Sequence, residues 1–295
     1  MNGWEFKEAL RSGRRVYGTM FVTARTGRWD HTVRAVGLDF VIVDNEHAPY
    51  SRSETADWIH KLDEMGIVPF VRVPTARSDY VTMAVDAGAQ GILVPYVETV
   101  AQVREVVGAA KYRPLKGEAA RRAVEQGHFP SKETKRHLEE MNRNNVLVIG
   151  IESVPAVERI EQLIGEPGVD AAFVGPNDLS IQLGVPNKYD HPKFVECLTH
   201  IHDTCRKLGV PLVIHLFNHD MAAHWIRRGV HFVLFGTDRR ALSEGFHGDF
   251  EFLRNINGAR SQKVAHRSRA KLRPKLHVVK GGAAKSAKGG KGPYG

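Results

Sequence analysis

Cysteine is nearly absent from this chain of 295 residues, which contains only Cys197 and Cys205. They lie eight positions apart in one predicted helix, too far to bridge, and lack the spacing of a zinc site. A disulfide framework and a thiolate metal centre are therefore excluded, and two buried reduced thiols are expected. No apolar run approaches the roughly 20 residues that span a bilayer. Residues 1–10 carry Glu5, Lys7 and Glu8 where a secretory signal needs an apolar core, so a cytoplasmic protein is expected. The first predicted strand is not followed by Gly-x-Gly-x-x-Gly, which argues against a dinucleotide-binding sheet. Acidic residues are missing from residues 258–295, which hold eleven Lys or Arg. The formal charge of +9 therefore belongs to that segment, and residues 1–257 carry −2. A Gly-, Ala- and Lys-rich stretch with so little apolar content cannot bury enough surface to fold. It is expected to be a flexible, disordered basic tail, either solubilising or able to touch nucleic acid or an acidic partner.

What is present is a rhythm. Phe40-Val41-Ile42-Val43 is a mostly β-branched run without a polar interruption, as a strand buried on both faces requires. Asp44, Glu46 and His47 follow at once, Pro49 closes the strand, and Ser51 with Glu54 reads as a capping box opening a helix. The same alternation of apolar strand and helix recurs at residues 17–22, 69–74, 91–97, 146–151, 170–175, 211–216 and 231–236. Eight such units over about 240 residues predict a single (β/α)8 barrel domain at 1–257, with an open doubly wound sheet as runner-up. The stretch from Lys111 to Pro130 loses its periodicity, turns basic and reads as a long loop.

Four strand exits supply polar groups of complementary kinds: Asp44, Glu46 and His47; then Arg72; then Glu152; then Asp178. In a parallel barrel all of them face one mouth. Glu152 and Asp178 are the best candidates for a divalent ion, because two carboxylates leave most of a hard octahedral ion's coordination sphere to water and substrate. Mg2+ or Mn2+ suits oxygen donors better than zinc. Arg72 can fork onto a carboxylate or an enolate oxygen, and His47 is the natural proton acceptor near neutral pH. Each residue has a plain alternative. Asp178 before Leu-Ser could cap a helix, and Arg72 could pair structurally with Glu46 or Asp86. His215, within a strand, reads as a satisfied barrel residue, and His200 and His202 read as incidental. It is the convergence of the set that favours chemistry.

Five segments carry a resemblance to a known family: Asp44-Asn-Glu-His-Ala-Pro, Pro69-Phe-Val-Arg72-Val, Asp86-Ala-Gly-Ala-Gln90-Gly-Ile-Leu-Val-Pro95, Ile149-Gly-Ile-Glu152-Ser and Gly175-Pro-Asn-Asp178-Leu-Ser180. From about residue 3 to 255 the chain resembles the HpcH/HpaI metal-dependent (class II) pyruvate aldolases. These cleave a 4-hydroxy-2-oxo acid or 2-keto-3-deoxy sugar acid to pyruvate and an aldehyde through a metal-stabilised enolate. The resemblance implies that Glu152 and Asp178 hold Mg2+ or Mn2+, with Co2+ as a further candidate, and that Arg72 stabilises the enolate oxygen. It also implies that His47 transfers protons, oriented by Asp86 with Asp44 nearby, and that Gln90, Gly175, Pro176 and Asn177 join Arg72 in binding the 2-oxo acid. A homo-oligomer, hexamer or trimer, with an exchanged last helix is implied as well. The chain departs from the family after Tyr112-Arg113-Pro114, where Leu-Lys116-Gly117-Glu118 replaces a Gly-x-Arg-Gly turn, so the aldehyde is left open. Two other readings stand beside the aldolase. One is a condensing enzyme resembling the citrate-forming branch; the other is a non-catalytic barrel whose tail binds nucleic acid or an acidic partner.

Overall fold

In the computed structural model, which describes residues 1–256, each predicted apolar run becomes a strand: β1 Val16–Phe21, β2 Phe40–Asp44, β3 Val68–Arg72, β4 Gly91–Val94, β5 Val146–Gly150, β6 Ala171–Val174, β7 Leu212–Leu216 and β8 Phe232–Thr237. All neighbours pair in parallel, and β8 returns to β1, closing the barrel in sequence order. The expected eight-stranded barrel is thus the fold observed. The chain falls into two units, Met1–Phe246, which contains the whole barrel, and His247–Gly295. The expected boundary at 257/258 and the basic tail lie outside the described residues.

Alternation along the strands decides what fills the barrel. Phe40 and Ile42, Phe70, Val146 and Val148, Ala171 and Phe173, Val213, and Phe232 and Leu234 all point inward and pack together. The opposite parity, including Val41 and Val43, packs outward against helices. At the foot, Phe6 from the helix Gly3–Arg11 plugs the barrel between Phe40, Phe70 and Phe232. The four rings meet largely edge to face, with centroids 5.0–6.0 Å apart. Glycine makes room for them: a Cβ on Gly91 would stand 2.1 Å from the Phe70 ring, and one on Gly18 would stand 2.5 Å from Phe40.

One expectation is corrected. Within the stretch read as a loop, Gly117–Gln126 is a helix. Its only apolar residues are three alanines and Val124, too small a stripe to register as periodicity. Ala120 and Val124 nonetheless nest over Gly108 of the helix Val100–Lys111. Its basic charge is locally answered, since Glu118 pairs with Arg121 and Arg122, and Arg121 with Glu125. Both cysteines are free on the helix Pro192–Leu208, as expected, but only Cys205 is buried and Cys197 is partly exposed. Burial pushes the Cys205 thiol up to about 12, which leaves it inert. Among the described residues no helix is long and apolar enough to cross a membrane.

Candidate active site

The inward parity that places phenylalanines at the foot places ionisable groups at the mouth. Asp44 is two residues beyond Ile42, Arg72 two beyond Phe70, and Glu152 four beyond Val148, so each continues its strand's inward row. Asp44 is fully buried and Arg72 nearly so. They form a two-pronged ion pair, Arg72 Nε donating to Asp44 Oδ1 at 2.8 Å and Nη2 to Oδ2 at 2.7 Å. Arg72 Nη1 reaches Glu46 Oε2 at 3.0 Å. Asp44 Oδ1 also accepts the backbone N–H groups of Glu46 and His47, which folds the chain back over the strand end. The capping box forms beyond this turn, with Ser51 and Glu54 each accepting the other's amide.

Burial opposes ionisation of Asp44, yet the Arg72 hydrogen bonds and charge outweigh it and hold the carboxyl below its usual range. At Glu46 burial wins over Arg72 and His47, and its carboxyl is raised. The guanidinium donates two of its five N–H groups to Asp44 and meets Glu46 as an ion pair through Nη1. His47 stays largely exposed, its Nε2 3.6 Å from Glu46 Oε2.

Glu152 and Asp178 converge. Gly175, between β6 and the helix Pro176–Gln182, has no side chain, and the space its Cβ would take is approached by Glu152 Oε1 at 2.1 Å and Asp178 Oδ2 at 3.5 Å. The two carboxylates therefore share one small volume over a glycine. Glu152 is 2 % exposed, and among the described residues its hydrogen bond is to the Tyr96 N–H, at 2.9 Å to Oε2. Burial is the main force on its carboxyl, and with the neighbouring carboxylates it prevails over the Tyr96 amide and Arg72, pushing the group up to about 8. A buried carboxylate held so far from its ordinary range, with a second carboxylate beside it, is short of positive charge. The donor set fits a hard divalent cation that takes its remaining ligands from water and substrate. Among the described residues no group of three or more His, Cys, Asp or Glu is arranged as a ligand set.

These groups open onto a cavity of about 720 Å³ at the mouth, which Asp44, His47, Arg72, Glu152 and Asp178 line with Gly175, Pro176 and Asn177. Two residues expected at the site are elsewhere. Gln90 immediately precedes β4, at the foot of the barrel, where its Oε1 accepts the Gly3 N–H at 2.6 Å and its Nε2 donates to Asp63 at 2.7 Å. Asp86 ends the helix Ser78–Asp86, which runs back down the outside of the barrel, so its carboxylate is carried away from His47. It pairs with Arg113 at 2.6 Å and lines an outer groove of about 770 Å³. That groove is slightly larger than the mouth but has none of its converging buried charge.

Sequence reasoning missed Tyr96. Its backbone adopts φ 52°, sparsely populated for a non-glycine residue, at the exit of β4, and its amide is spent on Glu152. His215 also lines the mouth; the inward parity of Val213 two residues earlier was the signal.

A family model described as HpcH/HpaI aldolase/citrate lyase matches residues 18–244. The 2-keto-3-deoxy-L-rhamnonate aldolase of Salmonella gallinarum is 26% identical over 265 residues, covering 88% of this chain and 97% of the relative. The crystal structure of an HpcH/HpaI aldolase from Desulfitobacterium hafniense superposes with a TM-score of 0.74 at 29% identity, covering 85% of this chain and 97% of that one. A citrate synthase structure gives a TM-score of 0.72 at 25% identity, covering 84% and 96% respectively.

Proposed function

This chain belongs to the HpcH/HpaI aldolase/citrate lyase family, and on that footing we propose that it is a divalent-metal pyruvate aldolase, a carbon–carbon lyase that reversibly cleaves a 4-hydroxy-2-oxo acid or 2-keto-3-deoxy sugar acid to pyruvate and an aldehyde. The observation that carries this reading is the meeting of Glu152 and Asp178 over Gly175, beside a buried and immobilised Arg72. Glu152 and Asp178 would hold Mg2+ or Mn2+, whose chemistry when bound is Lewis-acid polarisation of the 2-oxo group.

The protein's own residues supply the rest. Arg72, clamped by Asp44 and Glu46, cannot swing away. The N–H groups it does not give to Asp44 offer fixed positive charge to an oxygen that becomes negative as the C3–C4 bond breaks. Because the dipole is set before reaction, it costs no reorganisation in the transition state. Asp44 contributes by locking Arg72 and the turn that carries His47. His47, exposed beside Glu46, serves as the proton carrier, taking the hydroxyl proton in cleavage and returning it in condensation. Gly175, Pro176 and Asn177 form the wall against which the 2-oxo acid lies.

The second reading, a condensing enzyme, draws on the likeness to a citrate synthase and changes both reactants, with acetyl-CoA as enolate donor and the keto group of a 2-oxo acid as electrophile. Oxaloacetate with acetyl-CoA, offered in place of pyruvate with an aldehyde, separates the two. A homo-oligomer, hexamer or trimer, in the cytoplasm completes the proposal. The last turns of the helix Asp238–Asn255 expose Phe252 and Leu253, apolar side chains that a second copy would cover, and light scattering would report its mass.

The deciding test is exchange of the pyruvate methyl protons with solvent, which needs no guess about the aldehyde. Wild-type protein exchanges with a divalent cation and stops in chelator. Glu152→Ala and Asp178→Ala abolish exchange, a loss of about 10³-fold or more, and Arg72→Ala loses about 10²-fold. Undiminished exchange in chelator would falsify the metal's role.

A further inference from the structure

His215 is a buried histidine at the mouth to which the proposed reaction assigns no task. It continues the inward row of β7, is 7 % exposed, and its ring lies 4.2 Å from that of Phe217. Its Nε2 stands 2.9 Å from the carbonyl oxygen of Gly236. A carbonyl can only accept, so Nε2 carries the hydrogen. That carbonyl is presented by an irregularity in β8. Between the pairs Gly18–Leu234 and Met20–Thr237, β1 advances two residues and β8 three, and Gly236 takes up the extra residue at φ 60°. Burial, stronger than the opposing Gly236 bond, lowers the imidazole to about 4, so near neutral pH the ring is uncharged and its other nitrogen, Nδ1, bears a lone pair.

Among the described residues no group hydrogen-bonds to Nδ1. Among the described residues the only buried side-chain nitrogen or oxygen left without one is Asn144 Oδ1, so Nδ1 is not sealed in but open to the cavity that His215 lines. The mouth thus contains a neutral, orientation-locked acceptor that must receive a hydrogen bond from whatever fills it. The pyruvyl half of the substrate has nothing to give, because its carboxylate and keto oxygens are themselves acceptors. Donors in a 4-hydroxy-2-oxo acid are hydroxyls, at C4 and beyond. The C4 hydroxyl surrenders its proton in the reaction, and a base as weak as this imidazole is unsuited to take it.

Resting on the aldolase reading, we propose that His215 is a specificity-determining residue: its Nδ1 accepts a hydrogen bond from a hydroxyl of the aldehyde fragment that keeps its proton throughout, so the enzyme selects hydroxyaldehydes over their deoxy counterparts. Single-site recognition of this kind discriminates by about tenfold for a neutral hydrogen bond, because the deoxy compound leaves a desolvated acceptor unanswered.

The test is the ratio of kcat/KM for condensing pyruvate with glycolaldehyde and with acetaldehyde, a ratio in which general damage to the enzyme cancels. Two substitutions separate the two ring nitrogens. His215→Gln can still donate to Gly236 from the Nε2 position but has no acceptor at the Nδ1 position; His215→Asn places its amide oxygen near Nδ1 and loses the tie to Gly236. The expected result is a wild-type ratio of about ten or more, a ratio near one in His215→Gln, and a preference retained in His215→Asn. A ratio unchanged in His215→Gln, or equal loss on both aldehydes, which would put Nδ1 on the reacting oxygen, overturns the proposal. Pyruvate proton exchange by the unaltered enzyme, measured in the same preparation, tells failure of the aldolase reading from failure of this one.

Discussion

The foot and the mouth of the barrel are built by the same strands and the same inward parity, yet they hold opposite materials. At the foot, Phe6, Phe40, Phe70 and Phe232 close the interior with hydrocarbon. Two or four residues further along the same inward rows stand Asp44, Arg72 and Glu152, all less than 8 % exposed. Burying four phenylalanines contributes on the order of several kcal/mol, whereas burying unbalanced carboxylates costs stability unless they are paired. The mouth answers this in two ways. Asp44 and Arg72 neutralise each other, and Glu152 does not, staying raised to about 8. One end of the barrel is optimised for folding, and the other retains an uncompensated site that a cation would complete.

This contrast predicts that the two ends fail differently. Glu152→Ala should abolish pyruvate exchange, a loss of 10³-fold or about 4 kcal/mol in the barrier, while the melting temperature in chelator holds or rises, because a strained buried carboxyl has been removed. Phe70→Ala should do the reverse. It empties the centre of the aromatic cluster and should cost about 3–5 kcal/mol in denaturant unfolding, with the surviving folded fraction retaining exchange. If the Glu152 variant unfolded and the Phe70 variant lost only activity, the division of labour would be wrong.

The pH dependence sharpens the same comparison. In cation-free protein, Glu152 keeps a proton up to about pH 8 that an unfolded chain releases near 4.5, so its contribution to stability is fully present below 4.5 and is lost as pH rises through 8. His215 acts in the opposite sense. Held near 4 against 6.5 when unfolded, it contributes stability that is present above 6.5 and lost as pH falls through 4. Below 6.5 the two slopes oppose each other, and between 6.5 and 8 only Glu152 remains. In that window the chelated protein should lose about 2 kcal/mol with rising pH, and Mg2+ or Mn2+, which favours the carboxylate, should flatten the slope.

Most of this architecture was legible because side-chain identity and parity carry it. Phe40-Val-Ile-Val-Asp44 states both a buried strand and the group at its end, and Glu152 and Asp178 follow apolar runs in the same way. What escaped was carried by backbone or by small residues. The Tyr96 amide that holds Glu152 and the missing Cβ of Gly175 leave no chemical signature in a sequence, and the helix Gly117–Gln126 packs through alanines. His215 was visible but ambiguous, since a strand histidine satisfied at one nitrogen looks like one satisfied at both. Asp86 and Gln90 were placed at the site by motif alone, although both lie on the part of the chain that has already left the mouth, Asp86 at the end of a descending helix and Gln90 at the start of the next rising strand.

Gln90 gives the smallest and most discriminating test. If it bound substrate, Gln90→Ala would raise the KM for pyruvate. In the structure it is instead a strut at the foot, its carbonyl oxygen on the Gly3 amide and its amide on Asp63, tying the helix that carries Phe6 to the outer helix Arg52–Glu64. Removing two partly exposed hydrogen bonds, one of them to a carboxylate, should cost about 1–2 kcal/mol of stability and leave both the exchange rate and the KM for pyruvate unchanged. Because Phe6 is seated by that helix, the loss should combine non-additively with Phe70→Ala, and a double-mutant cycle in urea would detect the coupling. Additive losses, or any rise in KM, would mean that Gln90 serves something other than the floor.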